Sequence, residues 1–196
     1  MNRTPHKGKI FVFSAASGAG KTTLLDYCKS VVPDCVYSIS ATTRLPRSHE
    51  KNGVHYFFLS VDEFKFRIAN NEFAEWAIVH DNYYGTPKHF IDDTIASGRH
   101  IIMDIDVFGK IKFDQTYPDA VGILVLPPSL DLLRQRLERR KTDSREVIDL
   151  RIANAEKEMA FAREHGKYEY TVINDDLETT KVEVVAIVKK EISSCR

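Results

Sequence analysis

The sequence contains few cysteines, no excess of either charge and no long hydrophobic run. Its three cysteines, Cys28, Cys35 and Cys195, form no Cys-x-x-Cys pair, which argues against a disulfide scaffold and fits reduced cytosolic thiols. Lys and Arg number 28, as do Asp and Glu, so no net field draws the chain to nucleic acid or to a membrane surface. No apolar stretch approaches the roughly 20 residues that span a bilayer. We therefore expect a cytoplasmic protein that binds neither nucleic acid nor membrane.

A loop of small residues lies between an apolar run and a run with helical spacing. Residues 14–23 read SAASGAGKTT and follow the apolar run IFVF at 10–13. Gly-Lys-Thr alone fits an ordinary strand-to-helix turn, but the flanking strand and helix are typical of a phosphate-binding P-loop. Lys21 can reach the outer phosphates, and the Thr22 hydroxyl can coordinate Mg²⁺. The usual pattern has glycine where Ala15 stands, so this interpretation requires that Ala15 does not need a positive φ.

Strands and helices alternate through most of the chain, which predicts an α/β fold with a three-layer core and a parallel sheet. Residues from about 38 to 95 break this alternation, and we interpret them as an inserted, partly β lobe. Within it, residues 54–59 are predicted to form a strand and residues 82–86 an aromatic turn. Residues 1–37 and 96–196 are then assigned to the core.

Two carboxylates, Asp104 and Asp106, follow a buried strand at the edge where ligands bind in parallel sheets. Either could cap the next helix, and Asp106 fits that role well. Asp104 is harder to explain as a cap. We therefore expect it near the Mg²⁺–phosphate centre, reaching the metal through water.

Seven basic and four acidic residues lie between Arg134 and Arg151. Two interpretations remain open for this region: a solvated, salt-bridged helical hairpin, or a mobile lid whose arginines close over phosphates. Arg44 and Arg47 raise the same choice in an earlier polar loop, since two nearby guanidinium groups suit a phosphate but also occur on solvated loops.

These motifs together make the chain similar to guanylate kinase over nearly its whole length. The resemblance is carried by SGAGKT at 17–22, SATTRLPR at 40–47, GVHYF at 53–57, NYYGT at 82–86, DID at 104–106 and VINDD at 172–176. The P-loop is common to many NTPases. The combination of Thr-Thr-Arg-x-x-Arg with Asn-Tyr-Tyr-Gly is far more specific.

The resemblance implies an enzyme that transfers the γ-phosphoryl group of MgATP to GMP, with a GMP-binding lobe at 38–95 and a helical lid at about 136–151. It implies catalytic roles for Lys21, Arg44, Arg136 and Arg151. The implied ATP-binding residues are Ser17, Gly18, Ala19, Gly20, Lys21, Thr22, Thr23, Arg136, Arg140 and Asn174. The implied GMP-binding residues are Ser40, Arg44, Arg47, Tyr56, Glu75, Tyr84, Thr86 and Asp104. Mg²⁺ would meet Thr22 and, through water, Asp104, while monomer and homodimer remain open.

Glu75 is the residue that indicates guanine. A carboxylate can accept hydrogen bonds from guanine N1–H and from its 2-amino group, a donor pair that adenine lacks. A non-catalytic interaction module of the same fold and a kinase for another nucleoside monophosphate are the alternatives. The presence of Lys21 and Thr22 argues against the first, and Glu75 with Ser40 argues against the second.

Five positions depart from the family pattern: Ala15 and Ala16 replace Gly-Pro, Thr86 replaces Ser, and Lys141 and Arg145 add positive charge to the lid.

Overall fold

The computed structural model describes residues 7–16, 18–79, 81–139 and 143–194, and all structural statements concern these residues. Ser17, Arg140, Lys141 and Cys195, which the sequence analysis used, lie outside them. The elements in chain order are β1 (Ile10–Ala15), α1 (Lys21–Val31), β2 (Cys35–Tyr37), β3 (Ala41–Thr42), β4 (Phe57–Phe58), α2 (Val61–Ala69), β5 (Phe73–Val79), β6 (Asn82–Pro87), α3 (Lys88–Ala96), β7 (His100–Asp104), α4 (Val107–Thr116), β8 (Val121–Leu126), α5 (Leu130–Arg139), α6 (Arg145–His165), β9 (Tyr170–Ile173) and α7 (Leu177–Ser193).

Five strands form the first sheet, in the order β2-β7-β1-β8-β9. Every neighbouring pair runs parallel. All six residues of β8 are buried, as expected for a parallel strand with both faces covered. This arrangement confirms the predicted α/β fold with a parallel sheet.

Helices cover both faces of the first sheet and give the core three layers. On one face the strands pack with Cys28 of α1 and Val184 of α7. On the other face they pack with Ile91 of α3 and Phe113 of α4. Each fully buried side chain of this size contributes roughly 1.5–3 kcal/mol through burial. In the described ranges, no helix combines the length and the apolar character that crossing a membrane requires.

A second, four-stranded sheet in the order β4-β3-β6-β5 is inserted between β2 and α3. Phe64 of α2 packs beneath it with Ala41 and Phe73. The strands of this sheet span residues 41–87. The next helix, α3, belongs to the core by its packing, although most of it lies within the predicted 38–95 segment.

The sequence misassigned two segments of the second sheet. The predicted aromatic turn at 82–86 is strand β6, which pairs antiparallel with both β3 and β5. The predicted strand at 54–59 is reduced to Phe57–Phe58. Just before it, the N–H groups of Val54 and His55 donate to the carbonyl of Lys51 at 3.2 and 3.1 Å, so the backbone there forms a local turn.

Candidate active site

The loop between β1 and α1 opens onto a cavity of about 410 Å³. Gly18 and Gly20 have φ values of 93° and 94°, a region that favours glycine. Ala15 ends strand β1 and is not among the residues with positive φ, so alanine is accommodated there. Gly20 caps α1 without a side-chain hydrogen bond, which leaves first-turn N–H groups available to an anion. The cavity is lined by Ala15, Ala16, Gly18, Gly20, Lys21, Thr22, Thr23, Asp106 and Glu158.

A neighbouring cavity of about 290 Å³ lies between this loop, α5 and the end of β9. The buried Asn174 donates from Nδ2 to the carbonyl of Ala19 at 2.7 Å, which fixes the loop against β9. Arg136 donates to the carbonyl of Asp175 at 2.9 Å. The structure therefore places Asn174 and Arg136, two of the predicted ATP-binding residues, beside the loop. The lining residues are Gly18, Gly20, Thr23, Arg136, Arg139, Asn174 and Leu177.

Arg151, another predicted ATP-side arginine, is not among the residues that line these two cavities. Its Nη1 atom lies 3.3 Å from Oδ2 of Asp143, and Arg134 pairs with Asp149 at 2.5 Å. The Arg134–Asp149 pair connects α5 and α6, as the interpretation of a salt-bridged hairpin requires, while the Arg151–Asp143 pair ties α6 to the residues just before it. Arg136, by contrast, lines the neighbouring cavity beside the phosphate-binding loop.

A third cavity, of about 250 Å³, lies between the two sheets. Five of the predicted GMP-binding residues line it: Ser40, Tyr56, Glu75, Tyr84 and Asp104. Glu75 and Ala77 face the cavity from the same side of β5, because alternate residues of a strand share a face. The remaining lining residues are Tyr37, Ser38, His55, Val79, Gly85, Ile105 and Asp106.

Glu75 presents a carboxyl group at one end of this cavity. Its Oε1 atom accepts a hydrogen bond from the buried Thr86 hydroxyl at 2.7 Å. Burial raises the pKa of Glu75 to about 7, although the Thr86 hydrogen bond acts in the opposite direction. The group can thus carry a negative charge at neutral pH while retaining acceptor capacity for a ligand. Thr86 is not among the residues that line the cavity, and it contributes to the site through its hydrogen bond to Glu75.

Arg44 approaches the cavity from its aromatic side, with its guanidinium carbon 5.5 Å from the centre of the Tyr56 ring. Its Nη2 atom lies 2.8 Å from Oε1 of Glu50. This hydrogen bond chiefly raises the pKa of Arg44 above its ordinary value, and it lowers the pKa of Glu50 to about 2. Arg47 is exposed, and its backbone N–H donates to Glu50 at 2.7 Å. Glu50 therefore organises the loop that carries both predicted arginines.

Asp104 connects the third cavity to the loop after β1. Its Oδ2 atom lies 3.1 Å from Nζ of Lys21, and its Oδ1 atom accepts a hydrogen bond from the Tyr37 hydroxyl. Burial raises the pKa of Asp104, but Lys21 and Tyr37 more than offset it, so the pKa lies below its ordinary value. The carboxylate is therefore ionised between the two cavities.

Asp106 caps α4, accepting from the N–H groups of Phe108 at 2.9 Å and Gly109 at 2.7 Å. This confirms the capping role considered from the sequence. The same residue also lines the cavities on either side of it.

The metal donors of the site fit a cation that arrives with a nucleotide. Within the described ranges, no group of three or more His, Cys, Asp or Glu side chains is placed to hold a metal ion. The exposed Thr22 hydroxyl stands in the loop cavity beside Lys21. Mg²⁺ is commonly bound by one or two protein oxygens together with substrate phosphates, and a hydroxyl with a nearby carboxylate suits that pattern.

A family model described as guanylate kinase matches residues 7–191. The chain belongs to the guanylate kinase family. The guanylate kinase of Bacteroides fragilis is 45% identical over 192 residues, covering 95% of this chain and 93% of that protein. The guanylate kinase of Carboxydothermus hydrogenoformans is 43% identical, with 95% and 90% covered. A crystal structure of guanylate kinase from Anaplasma phagocytophilum is 30% identical with a TM-score of 0.70, covering 95% of this chain and 87% of that one.

Sequence reasoning did not identify three residues that line the site or contact its arginines: Tyr37, Glu50 and Glu158. Tyr37 reads as an ordinary strand residue, and Glu50 as part of a solvated loop. Glu158 lines the loop cavity from α6, and burial raises its pKa above the ordinary value. Of these three residues, only Glu50 has a feature in the sequence that could have identified it, because it is an acidic residue near two arginines in a loop that suits an anion.

Proposed function

We propose that the protein is an ATP:GMP phosphotransferase that converts MgATP and GMP into ADP and GDP. The observation that carries this proposal is Asp104, which lines the cavity of Glu75 and lies 3.1 Å from Lys21 of the P-loop. One carboxylate thus joins an acceptor cavity suited to guanine to a loop suited to a triphosphate. The family membership supports the same reaction.

On the acceptor side, Glu75 receives the N1–H and 2-amino groups of guanine, with Thr86 and Ser40 completing the polar surroundings. Adenine lacks that pair of donors, so its binding would leave the Glu75 carboxylate with the Thr86 hydroxyl but without either ligand donor in a confined site. Arg44, Arg47, Tyr56 and Tyr84 bind the GMP phosphate. Arg44 exchanges or shares its Glu50 partner when the phosphate arrives, because a guanidinium offers several donors.

On the donor side, the P-loop backbone and Lys21 hold the ATP phosphates, and Arg136 and Asn174 lie toward the nucleoside. Bound Mg²⁺ would neutralise phosphate charge during transfer. Thr22 is the protein oxygen that would hold it, with Asp104 reached through water. Lys21 leaves Asp104 or is shared with it as the phosphates enter.

In the transfer step, an oxygen of the GMP phosphate attacks the γ-phosphorus, and the bond to the β–γ bridging oxygen breaks to release ADP. No side-chain base is needed, because the attacking oxygen is already ionised near neutral pH. The protein contributes mainly orientation and stabilisation of negative charge.

We further propose that residues 38–95 act as a GMP-binding lobe and residues 136–151 as a lid, both closing over the core. Closure would exclude water from the γ-phosphoryl group and so suppress wasteful ATP hydrolysis. The small-molecule partners are then ATP and GMP, with the protein acting as a monomer or a homodimer in the cytoplasm.

A panel of nucleoside monophosphates tests the reaction and its base specificity. ADP release is followed with ATP and either GMP, AMP, CMP or UMP, and products are identified by chromatography. We expect GMP to be preferred by at least about 100-fold in kcat/KM, since unpaired polar groups penalise the other bases. Glu75→Gln is expected to raise the KM for GMP roughly tenfold or more, with much less change in the KM for ATP. Equal turnover of AMP and GMP would overturn the guanine assignment.

The same ADP-release assay also tests whether the loop between β1 and α1 binds the ATP phosphates. Lys21→Ala is expected to lower kcat about 10²–10³-fold, because a charge that stabilises the transferring group is lost. Lys29→Ala, an exposed lysine in the last turn of the same helix, serves as the control. Near wild-type turnover of Lys21→Ala contradicts the assignment. GMP binding without phosphorylation in the unmodified protein would indicate the interaction module instead.

A further inference from the structure

Tyr37, the last residue of β2, lies where the acceptor cavity meets the first sheet. It is paired with Ile102 of β7 in the parallel register. Its side chain therefore shares a face with Ile102 and with Asp104, two residues further along β7. The ring packs against the core cluster that contains Ile102, and the residue also lines the acceptor cavity. The ring is thus anchored in the core while the hydroxyl reaches the site.

The Tyr37 hydroxyl supplies one of two fixed partners of the Asp104 carboxylate. It donates to Oδ1, while Oδ2 lies 3.1 Å from the Lys21 ammonium. A carboxylate held at both oxygens keeps one orientation, and each oxygen retains a lone pair for a further donor. Asp104 can therefore meet a donor on a bound acceptor without releasing Tyr37.

We propose that Tyr37 is a positioning residue that orients Asp104 for the acceptor nucleotide. The inference rests on the proposed function, because it concerns how GMP is held. Without the hydroxyl, Asp104 is anchored only from the Lys21 side, and its carboxylate turns toward the phosphate-binding loop. The GMP cavity then loses an ordered hydrogen-bond acceptor, whereas the residues of the phosphate-binding loop are unchanged.

A structural role for Tyr37 in core packing is the competing explanation, and the chemistry separates the two. Tyr37→Phe keeps the ring that packs against the core and removes only the oxygen that contacts Asp104. A packing role therefore predicts no effect of this substitution on GMP binding. A positioning role predicts an effect that requires Asp104.

The test is a double-mutant cycle with Tyr37→Phe, Asp104→Ala and the double variant, using calorimetry for GMP affinity and steady-state kinetics for both substrates. Tyr37→Phe is expected to weaken GMP binding and raise its KM by roughly three- to tenfold, less than for loss of a direct hydrogen bond to a charged group, because the hydroxyl contacts Asp104 and not GMP. The KM for ATP should change less than twofold. In the Asp104→Ala background, Tyr37→Phe should have no further effect on GMP affinity.

The matched control is Tyr117→Phe, which removes another tyrosine hydroxyl that donates to an aspartate, Asp92, at 2.9 Å. Neither Tyr117 nor Asp92 lines the three substrate cavities. Unchanged GMP affinity in Tyr37→Phe overturns the inference, as does an equal loss in the Asp104→Ala background. If the unmodified protein phosphorylates GMP in either case, the proposed function stands. If the unmodified protein neither binds nor phosphorylates GMP, the proposed function fails first.

Discussion

At the scale of single residues, Glu75 shows how partial removal from water changes the chemistry of a carboxyl group. Burial raises its pKa to about 7, against the effect of the Thr86 hydroxyl. The charged form is the one that can accept from both guanine donors. If Glu75 binds guanine as we propose, the ionisation of this one group links pH to GMP binding near neutrality.

The first prediction at this scale concerns the KM for GMP. With a pKa of about 7, the ionised fraction of Glu75 falls roughly tenfold between pH 8 and pH 6. We expect the KM for GMP to rise several-fold over that interval, while the KM for ATP changes less. Steady-state kinetics at constant ionic strength measures both.

The control for this pH profile is Glu75→Gln, because the GMP phosphate itself titrates near pH 6. The variant retains the phosphate contribution and loses that of Glu75, so its KM for GMP should vary less with pH. Identical pH profiles for the variant and the unmodified protein would contradict the assignment.

The stability of the protein supplies a second readout, which changes with pH in the opposite direction to GMP binding. A carboxyl whose folded pKa is raised loses stability as pH rises from its unfolded value of 4.5 through 7. The unliganded protein should therefore lose more stability than Glu75→Gln between pH 6 and pH 8.

Residue roles were predictable where a local motif carries them. Lys21 and Thr22 follow from a strand, a small-residue loop and a helix in immediate succession. Tyr37 was not predictable, because its meeting with Asp104 depends on the register of β2 against β7, a contact between segments 67 residues apart. Glu50 depends in the same way on how its loop folds back onto Arg44.

At the scale of elements, the turn between β1 and α1 is shaped by a glycine that leaves no room for a side chain. Gly20 has a φ of 94°, and a Cβ atom there would lie 2.3 Å from Nδ2 of Asn174. That amide in turn donates to the carbonyl of Ala19. The loop, the start of α1 and the end of β9 therefore hold one another in place.

Gly20→Ala is predicted to impair the ATP site specifically. The substitution forces Asn174 away from Ala19 and adds backbone strain of about 1–2 kcal/mol, the usual cost of a left-handed conformation for alanine. We expect the KM for ATP to rise at least about tenfold, with a smaller change for GMP.

The matched control is Gly53→Ala, whose φ is 73° but whose added Cβ would meet its nearest neighbour only at 3.9 Å. It introduces similar strain without a collision, so thermal unfolding should report a smaller loss of stability for Gly53→Ala than for Gly20→Ala. If Gly20→Ala leaves the KM for ATP at the level of Gly53→Ala, then Asn174 and this loop do not form the ATP site.

Element prediction succeeded where periodicity and caps agree, and failed where pairing across the chain decides. The cap at Ser60, which accepts from the N–H of Glu63 at 3.1 Å, was visible in the sequence as a capping box. The segment 82–86 combines Asn, two tyrosines and Gly, a local signature of a turn. Two neighbouring strands nevertheless supply its hydrogen-bond partners, so β6 forms.

At the scale of the whole molecule, a buried charged group links two parts of the fold that are distant in sequence. Lys110 of α4 is fully buried, and its ammonium lies 2.6 and 2.7 Å from the two oxygens of Asp114 and 3.0 Å from the carbonyl of Lys167. It also lies 5.3 Å from the centre of the Tyr168 ring. This ammonium therefore joins α4 to the segment that leads into β9.

Lys110→Met is predicted to destabilise the fold by about 3 kcal/mol, because Asp114 loses its partner and the Lys167 carbonyl loses a donor. Chemical denaturation followed by circular dichroism measures the change. Arg67→Met is the control, since Arg67 pairs with Glu63 at 2.7 Å with the same spacing of four residues but at the surface. That variant should lose less than about 1 kcal/mol. A similar loss in both variants would show that burial of Lys110 adds nothing.

The architecture of the core was largely predictable, because buried strands and amphipathic helices alternate along the sequence. The acceptor cavity was not, since it forms where β5 of the second sheet comes opposite the ends of β2 and β7. No local pattern encodes the distance between two sheets. Resemblance to a family supplied the expectation that Ser40 and Tyr84 bind GMP, which periodicity alone could not, and both residues line this cavity.

Asp104, shared between two cavities, also limits how such a molecule can be redesigned. A substitution there alters the acceptor cavity and the environment of Lys21 together, so acceptor choice and nucleotide handling cannot be adjusted independently at that position. Glu75 and Thr86 are paired with each other, away from the phosphate-binding loop. Engineering toward a different base is therefore better begun at that pair, with Asp104 left as the fixed point around which the pocket is rebuilt.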